Sequence, residues 1–301
     1  MNVEVPVLGR VRRATLDAGR TAAPPAARPA GRMAPGRAGP RVGACRTTTP
    51  RRTVFVRRAF IRETNRPGRA EAGRWPFTVP CVAELAEHGL TLSAPVTFLV
   101  GGNGSGKSTL VEAIAEGFRL DSYGGRLAAA RGRPDATRTP LGDVLTLETT
   151  AAGARMLGGP RSRKQGFFLR AETAFQMTEN LGGVPGYWQD DTAAMSHGEG
   201  FLTMFQAMFD KPGFYVMDEP EAALSFDSCL RLVALMHELG NSGAQVVCAT
   251  HSPILAATPG ADIIEVGEHG FRRVKWDQLE LVDHWRRYLA TPDAYLRHIV
   301  E

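Results

Sequence analysis

Val96-Thr97-Phe98-Leu99-Val100 is an apolar run of the kind that forms a strand buried in a sheet, and Leu110, Val111, Ile114, Ala115 and Phe118 behind it recur near helical period. The same alternation of short apolar run and longer periodic stretch returns in the third quarter of the chain. FYVM at 214–217 reads as a short strand. A helix is expected from about Glu221 to Leu239, with Leu224, Leu230, Leu232, Leu235 and Met236 as its apolar positions. AQVVCAT at 244–250 is the next buried strand, and GFFLRAE at 166–172 reads as another. Ile263 to Val266 and Phe271 to Lys275 flank Gly267-Glu268-His269-Gly270 as a hairpin. Phe201, Met204, Phe205 and Met208 share one face of a helix that begins after Ser196. Buried strands alternating with helices predict an α/β fold with a mostly parallel sheet covered on both faces.

The remaining elements are shorter. VFVRRAFI, from Val54, is β-branched and aromatic enough for a strand, and Leu90 to Leu92 is expected to form a second one near the strand at 96–100. Residues 121–164 read as loop-rich, with only LGDVLTLE at 141–148 suggesting an element. Two helices close the chain, one expected to be capped by Asp277 with Glu280, the other by Thr291 with Pro292 in its first turn.

Composition divides the chain. Of its 301 residues, 43% are hydrophobic and 22% charged, ordinary for a globular protein, and no apolar run approaches the length of a membrane span. The net charge of +5 is unevenly placed. Residues 1–52 hold eleven arginines against Glu4 and Asp17, about +9, which leaves about −4 for residues 53–301. The folded part therefore carries no bulk electrostatic argument for a nucleic-acid partner. The N-terminal segment is rich in Arg, Pro, Ala and Gly, is expected to be disordered, and admits a translation start further on, for example at Met33. A targeting function is disfavoured because no apolar core follows Arg12-Arg13 and the prolines at 24, 25, 29 and 35 spoil an amphipathic helix. Cys45, Cys81, Cys229 and Cys248 show no metal-binding spacing and read as reduced residues of a cytoplasmic protein.

Between the strand at 96–100 and its helix lies Gly101-Gly102-Asn103-Gly104-Ser105-Gly106-Lys107-Ser108-Thr109, which fits G-x-x-x-x-G-K-[ST] without a gap. Glycines let backbone N–H groups surround phosphate oxygens, and the positive end of the following helix faces the anion. Lys107 is placed to reach the β- and γ-phosphates of ATP, and the Ser108 hydroxyl to ligate Mg²⁺. A glycine-rich turn that happens to hold a lysine would not need both the full spacing and these flanks. Asp218, at the end of an apolar strand, is the second candidate Mg²⁺ ligand. Glu219 is the candidate general base, although Asp-Glu-Pro could also merely cap the next helix. His251 ends a neighbouring strand, where ligands gather in parallel sheets, and could contact the γ-phosphate or the attacking water.

Ser196-His197-Gly198-Glu199-Gly200 admits two readings. Ser196 and Glu199 make a capping box, whereas Gly198 and Gly200 weaken a helix start and suit close approach to a phosphate, here one held by another subunit. Taken in order, the phosphate loop (Walker A), MSHGE at 195–199, FYVMDE at 214–219 (Walker B), EAALS at 221–225 and ATHS at 249–252 resemble the ABC-type ATPases. The chain is similar in particular to stand-alone predicted ATPases labelled AAA family, which carry MSHGE, DEPEAAL, ATHSPIL and YLRHI, the last here at Tyr295 to Ile299. The resemblance covers residues 53–301 and implies a P-loop NTPase head with a small antiparallel β portion and a short helical subdomain. It implies ATP hydrolysis in a head-to-tail homodimer in which Ser196, Gly198 and Glu199 meet the partner's nucleotide. A further protein or nucleic-acid partner is left unidentified. The alternative is an ATP-binding subunit of an ABC transporter. Against it stand the substitution of LSGGQ by MSHGE, the occurrence of Arg170 where a glutamine is expected after the 166–169 strand, and Ser225 in place of an aspartate. A kinase would need an arginine-bearing lid, no sensor pattern of hexameric motors is evident, and the 85 residues from 111 to 195 lack heptads for coiled-coil arms. Trp75 or Phe77 is the candidate for stacking on adenine.

Overall fold

The computed structural model describes residues 54–120, 138–159, 165–170, 205, 212–222, 224–297 and 299–300. Nine strands form two sheets among the described residues. β1 (Val56–Ile61), β2 (Leu90–Thr91) and β4 (Leu145–Thr149) make an antiparallel sheet in the order β2-β1-β4. β3 (Val96–Val100), β5 (Phe168–Arg170), β6 (Phe214–Asp218), β7 (Gln245–Thr250), β8 (Asp262–Gly267) and β9 (Gly270–Arg273) make the second sheet, in the order β5-β6-β7-β3-β8-β9. All pairings in it are parallel except β8 with β9. The expected α/β architecture, a mostly parallel sheet with a small antiparallel portion, is therefore present. Residues 171–200, which include the MSHGE stretch, lie outside the described residues, as does the boundary at 53.

The central strands are mostly apolar because both faces are covered. Alternation divides each strand between two cores. Phe98, Val100, Tyr215, Met217, Val246 and Cys248 face one core, with Leu232, Met236 and Leu239 of the helix Phe226–Ser242. Leu99, Phe214, Val216, Val247 and Ala249 face the other, with Leu110, Val111 and Ile114 of the helix Lys107–Gly117. Phe205 is helical and fully buried in the first core; the rest of the helix expected around it lies outside the described residues. Cys81, Cys229 and Cys248 are buried free thiols, and Cys45 lies outside the described residues.

Several expectations are corrected. Leu90–Thr91 pairs with β1 in the smaller sheet, not beside β3; an isolated two-residue strand carries too little pattern to specify its partner. LGDVLTLE divides into a helix, Pro140–Val144, and β4, and the stretch read as loop also contains the helix Ala151–Gly158. Both helices start with a threonine whose hydroxyl accepts from the third backbone N–H, Thr139 from Gly142 and Thr150 from Gly153. The helix expected from Glu221 begins at Phe226, since Ser225 is its cap and accepts from Ser228 N at 3.2 Å. At the C-terminal end Asp277 does not cap the helix Glu280–Ala290. The buried Glu265 does, accepting from Glu280 N at 2.8 Å while it pairs with Arg272. Pro292 does open the last helix, Pro292–Leu296, but Thr291 supplies no side-chain cap.

A buried amide joins the two sheets. Gln245, fully buried at the start of β7, accepts through Oε1 from Phe55 N and Val56 N and donates through Nε2 to Val56 O, each at 2.8 Å. Buried amides are retained where all their bonds are made, and this one serves three backbone groups at the entry to β1.

Candidate nucleotide-binding site

β6, β7 and β3 are parallel neighbours, so their C-terminal ends open side by side. Asp218 ends β6, His251 follows β7, and the glycine loop follows β3. The loop owes its form to two kinds of glycine. Gly101 is packed so closely that an added Cβ would lie 2.0 Å from Val266 O. Gly106 caps the helix Lys107–Gly117 at φ +94°, a left-handed conformation that favours glycine, against the side chains of Val79 and Cys81. Gly102 and Gly104 face open space. Backbone N–H groups of the loop and of the first helical turn are thus left facing an opening that a phosphate can fill.

Lys107 is 3% exposed, and its Nζ donates to Gly102 O at 2.9 Å and to Ser105 Oγ at 3.4 Å. Its pKa is lowered by burial, opposed by the charges of Glu219, Asp218 and Glu221. Ser108 Oγ donates to Asp218 Oδ1 at 3.0 Å, which brings the two candidate Mg²⁺ ligands together. Burial raises the Asp218 pKa, and the Ser108 hydrogen bond opposes the rise. Mg²⁺ is held by one or two protein oxygens beside substrate phosphates, so a hydroxyl and a carboxylate at this spacing fit it. Asn103, Ser105 and Thr109 complete the loop; Asn103 is exposed.

Glu219 leaves the strand with φ +49°, unusual for a residue with a side chain, and its N–H donates to Ala249 O at 3.0 Å. That turn brings its carboxylate against His251, with Glu219 Oε1 3.0 Å from His251 Nε2. The same nitrogen lies 3.0 Å from Lys107 Nζ. One ring nitrogen cannot both accept from the lysine and donate to the carboxylate, so the two contacts compete for its tautomer. Burial and then Lys107 lower the His251 pKa, with Glu219 opposing, which favours the neutral imidazole. Lys107, Glu219 and His251, far apart in sequence, thus meet in one cluster, beside the Ser108–Asp218 pair.

Arg170 stands opposite Asp218 in the β5–β6 register and pairs with Glu112 at 2.5 Å, while its guanidinium lies 5.4 Å from the centre of the Phe168 ring. Trp75 is 62% exposed and Phe77 packs on the core, so of the two aromatic candidates Trp75 presents the free surface. Ser196, Gly198 and Glu199 lie outside the described residues. Glu221 had no assigned role in the sequence beyond the EAALS resemblance, yet its Oε1 accepts from Thr250 Oγ1 at 2.5 Å and from His251 N at 2.8 Å. The signal available in the sequence was a carboxylate two positions beyond Glu219, too short an interval to reveal which strand it faces.

No family model matches the chain. Over 184 residues it is 31% identical to the Fe(3+) ions import ATP-binding protein FbpC of Streptomyces coelicolor, covering 56% of this chain and 48% of that one. A putative ABC transporter ATP-binding protein of Bifidobacterium longum is 30% identical over 52% of this chain and 22% of its own length. The ABC-type transporter eriD of Hericium erinaceus is 25% identical over 52% of this chain and 12% of its own. The chain thus spans less than half the length of these relatives. Among solved structures, cbiO1 from Clostridium perfringens, part of the ABC transporter complex cbiONQ, overlaps 70% of this chain and 88% of its own at a TM-score of 0.38 and 15% identity. Among the described residues no helix is long and apolar enough to cross a membrane.

Proposed function

We propose that this chain is an ABC-type ATPase that binds Mg-ATP in the loop Gly101 to Thr109 and hydrolyses it to ADP and phosphate. The observation that carries the reading is the meeting of Ser108 with Asp218 and of Lys107 with Glu219 and His251 at the ends of three parallel strands. Loop N–H groups and the helix start bind the phosphate chain, and Lys107 exchanges its contacts with Gly102 O and His251 for the β- and γ-phosphate oxygens. Mg²⁺, held by Ser108 and Asp218, would neutralise charge that develops between the β- and γ-phosphates. With Lys107 withdrawn, His251 Nε2 is left to Glu219 alone and donates to it. Glu219 accepts a proton from the attacking water, and His251 steadies its carboxylate.

The MSHGE, DEPEAAL and ATHSPIL stretches support a stand-alone cytoplasmic protein of the AAA-labelled kind, in which two chains close head to tail on two ATP molecules and act on a protein or nucleic acid. A second reading, the ATP-binding subunit of a transporter, is favoured by the likeness to the iron-import and putative transporter ATP-binding proteins above. Copurification with an integral membrane protein would support the second reading. For the central assignment, isothermal calorimetry and phosphate release decide together. Wild type should bind ATP and release phosphate in Mg²⁺, and Lys107→Ala should do neither; undiminished ATP affinity in that variant refutes the site.

A further inference from the structure

Asp218 and Ala249 are register partners, and beyond them the exits of β6 and β7 part. After Glu219 and Pro220 the chain turns back, with Ala222 N donating to Glu219 O at 3.1 Å and Leu224 N to Glu221 O at 2.8 Å. The turn carries the Glu221 side chain to the exit of β7. There, Thr250 Oγ1 and His251 N both donate to its Oε1, at 2.5 and 2.8 Å. Thr250 Oγ1 also accepts from Ser252 N at 2.9 Å, and Ser252 Oγ accepts from Leu255 N at 3.3 Å. Three successive residues, Thr250, His251 and Ser252, are therefore fixed by one carboxylate oxygen and the hydroxyl it anchors. Two donors converging on one oxygen suit a carboxylate, which offers two lone pairs and charge-assisted bonds.

His251 needs this support. Its side chain is 30% exposed, so the imidazole has solvent as an alternative to Glu219 and Lys107, and its backbone follows the last strand residue. We infer that Glu221 is a positioning residue, which through Thr250 Oγ1 and the His251 amide holds the turn after β7 so that the imidazole lies against Glu219 and Lys107. The inference rests on the reading of Glu219 and His251 as parts of a hydrolytic site. Glu221 itself touches neither the phosphate loop nor the Ser108–Asp218 pair in any hydrogen bond found among the described residues.

The test is steady-state Mg-ATP hydrolysis by full-length protein, with kcat and KM measured separately and thermal melts run alongside. A misplacement of about 1 Å costs on the order of a hundredfold in rate, so Glu221→Ala should lower kcat by about that factor with KM near its wild-type value. Glu221→Gln, which keeps an acceptor oxygen at the same reach, should recover most of the loss. In a His251→Ala background, Glu221→Ala should cost little more, because a residue that acts through another is silent once that other is gone. Should Glu221→Ala fail to fold, Thr250→Val removes the hydroxyl bond and should lower kcat, with Thr250→Ser restoring it. Unchanged kcat in Glu221→Ala or Thr250→Val overturns the inference, as does a full multiplicative loss in the double variant. Absence of Mg-dependent turnover in wild type overturns the hydrolase reading itself and the inference with it, whereas turnover indifferent to Glu221 overturns the inference alone.

Discussion

Replacement of Gln245 by leucine tests whether the small antiparallel sheet is held to the central sheet by one buried amide. The substitution keeps roughly the same volume but strips three hydrogen bonds, orphaning Phe55 N, Val56 N and Val56 O. Each buried backbone group left unpaired costs about 1–3 kcal/mol. Some of that is offset because leucine has no polar head to desolvate, so the expected loss is about 3–6 kcal/mol, at the lower end of the range per group. A domain of this size shifts by about 2–4 °C per kcal/mol, which gives a melting temperature lower by roughly 6–24 °C. Gln245→Glu refines the test. Its carboxylate still accepts from both N–H groups but must be protonated to donate to Val56 O, so its pKa in the folded state is raised above the unfolded value. Stability of that variant is then closest to wild type below the unfolded carboxyl pKa and is lost as pH rises through the folded one. Thermal melts by circular dichroism at acidic and neutral pH provide the measurement. A leucine variant that melts within about 2 °C of wild type would refute the clamp, since that is less than the smallest effect of a single orphaned group. ATP affinity of the protein that remains folded should be unchanged, because Gln245 lies at the start of β7 and the site at its end.

Gly101→Ala forces a Cβ to within 2.0 Å of Val266 O, a backbone atom, and should destabilise the protein by about 1–3 kcal/mol as well as weaken ATP binding. Gly102→Ala, whose Cβ meets nothing within 4 Å, should leave the melting temperature unchanged and affect ATP binding alone; equal melting of the two variants refutes the distinction. Glu219→Gln should bind ATP without turnover and dimerise in Mg-ATP but not in ADP, and adding Ser196→Arg should leave it monomeric with ATP bound. Light scattering coupled to size exclusion checks this, and a persistent dimer in the double variant favours the capping-box reading of Ser196 and Glu199. Removal of residues 1–52 should leave melting and turnover nearly unchanged, and a large loss on truncation would show that the arginine-rich arm packs on the domain.

What could be read in the sequence was local in origin. Val96–Val100 and Gln245–Thr250 announce themselves because a strand covered on both faces keeps a nearly continuous apolar run instead of alternating with polar positions, and all their residues are buried. Lys107, Ser108, Asp218, Glu219 and His251 are legible from their place at a strand end or a helix start, and the parallel strands bring Ser108 to Asp218 and Lys107 and Glu219 to His251. What escaped depends on partners distant in the chain. Leu90–Thr91 has its register partner at Arg58 and Ala59, which no period within the strand records. Asp277 has the local spacing of a cap, but Glu265, fifteen positions before Glu280, reaches the helix end first. The helix expected from about Glu221 rests on apolar positions that begin at Leu224, and that period does not record where Glu221 itself turns. Its carboxylate is instead drawn to Thr250 and His251, and the helix waits for Ser225.

The charges around Lys107 bear on why a metal should accompany the nucleotide. Asp218, Glu219 and Glu221 all act on the lysine, and burial works against the charged forms of Lys107, Asp218 and Glu221 alike. The cluster is therefore short of positive charge before any phosphate arrives. A triphosphate entering without a cation would place its γ-oxygens near Asp218 and Glu219 with Lys107 as their counter-charge, in surroundings where like charges are poorly screened. Ser108 and Asp218 would hold a divalent ion, which would supply the positive charge the cluster lacks and so allow Lys107 to leave His251. On the proposed function ATP should therefore bind more weakly without Mg²⁺, and Lys107, which lies against His251, is the residue that would link the phosphate loop to the Glu219–His251 pair.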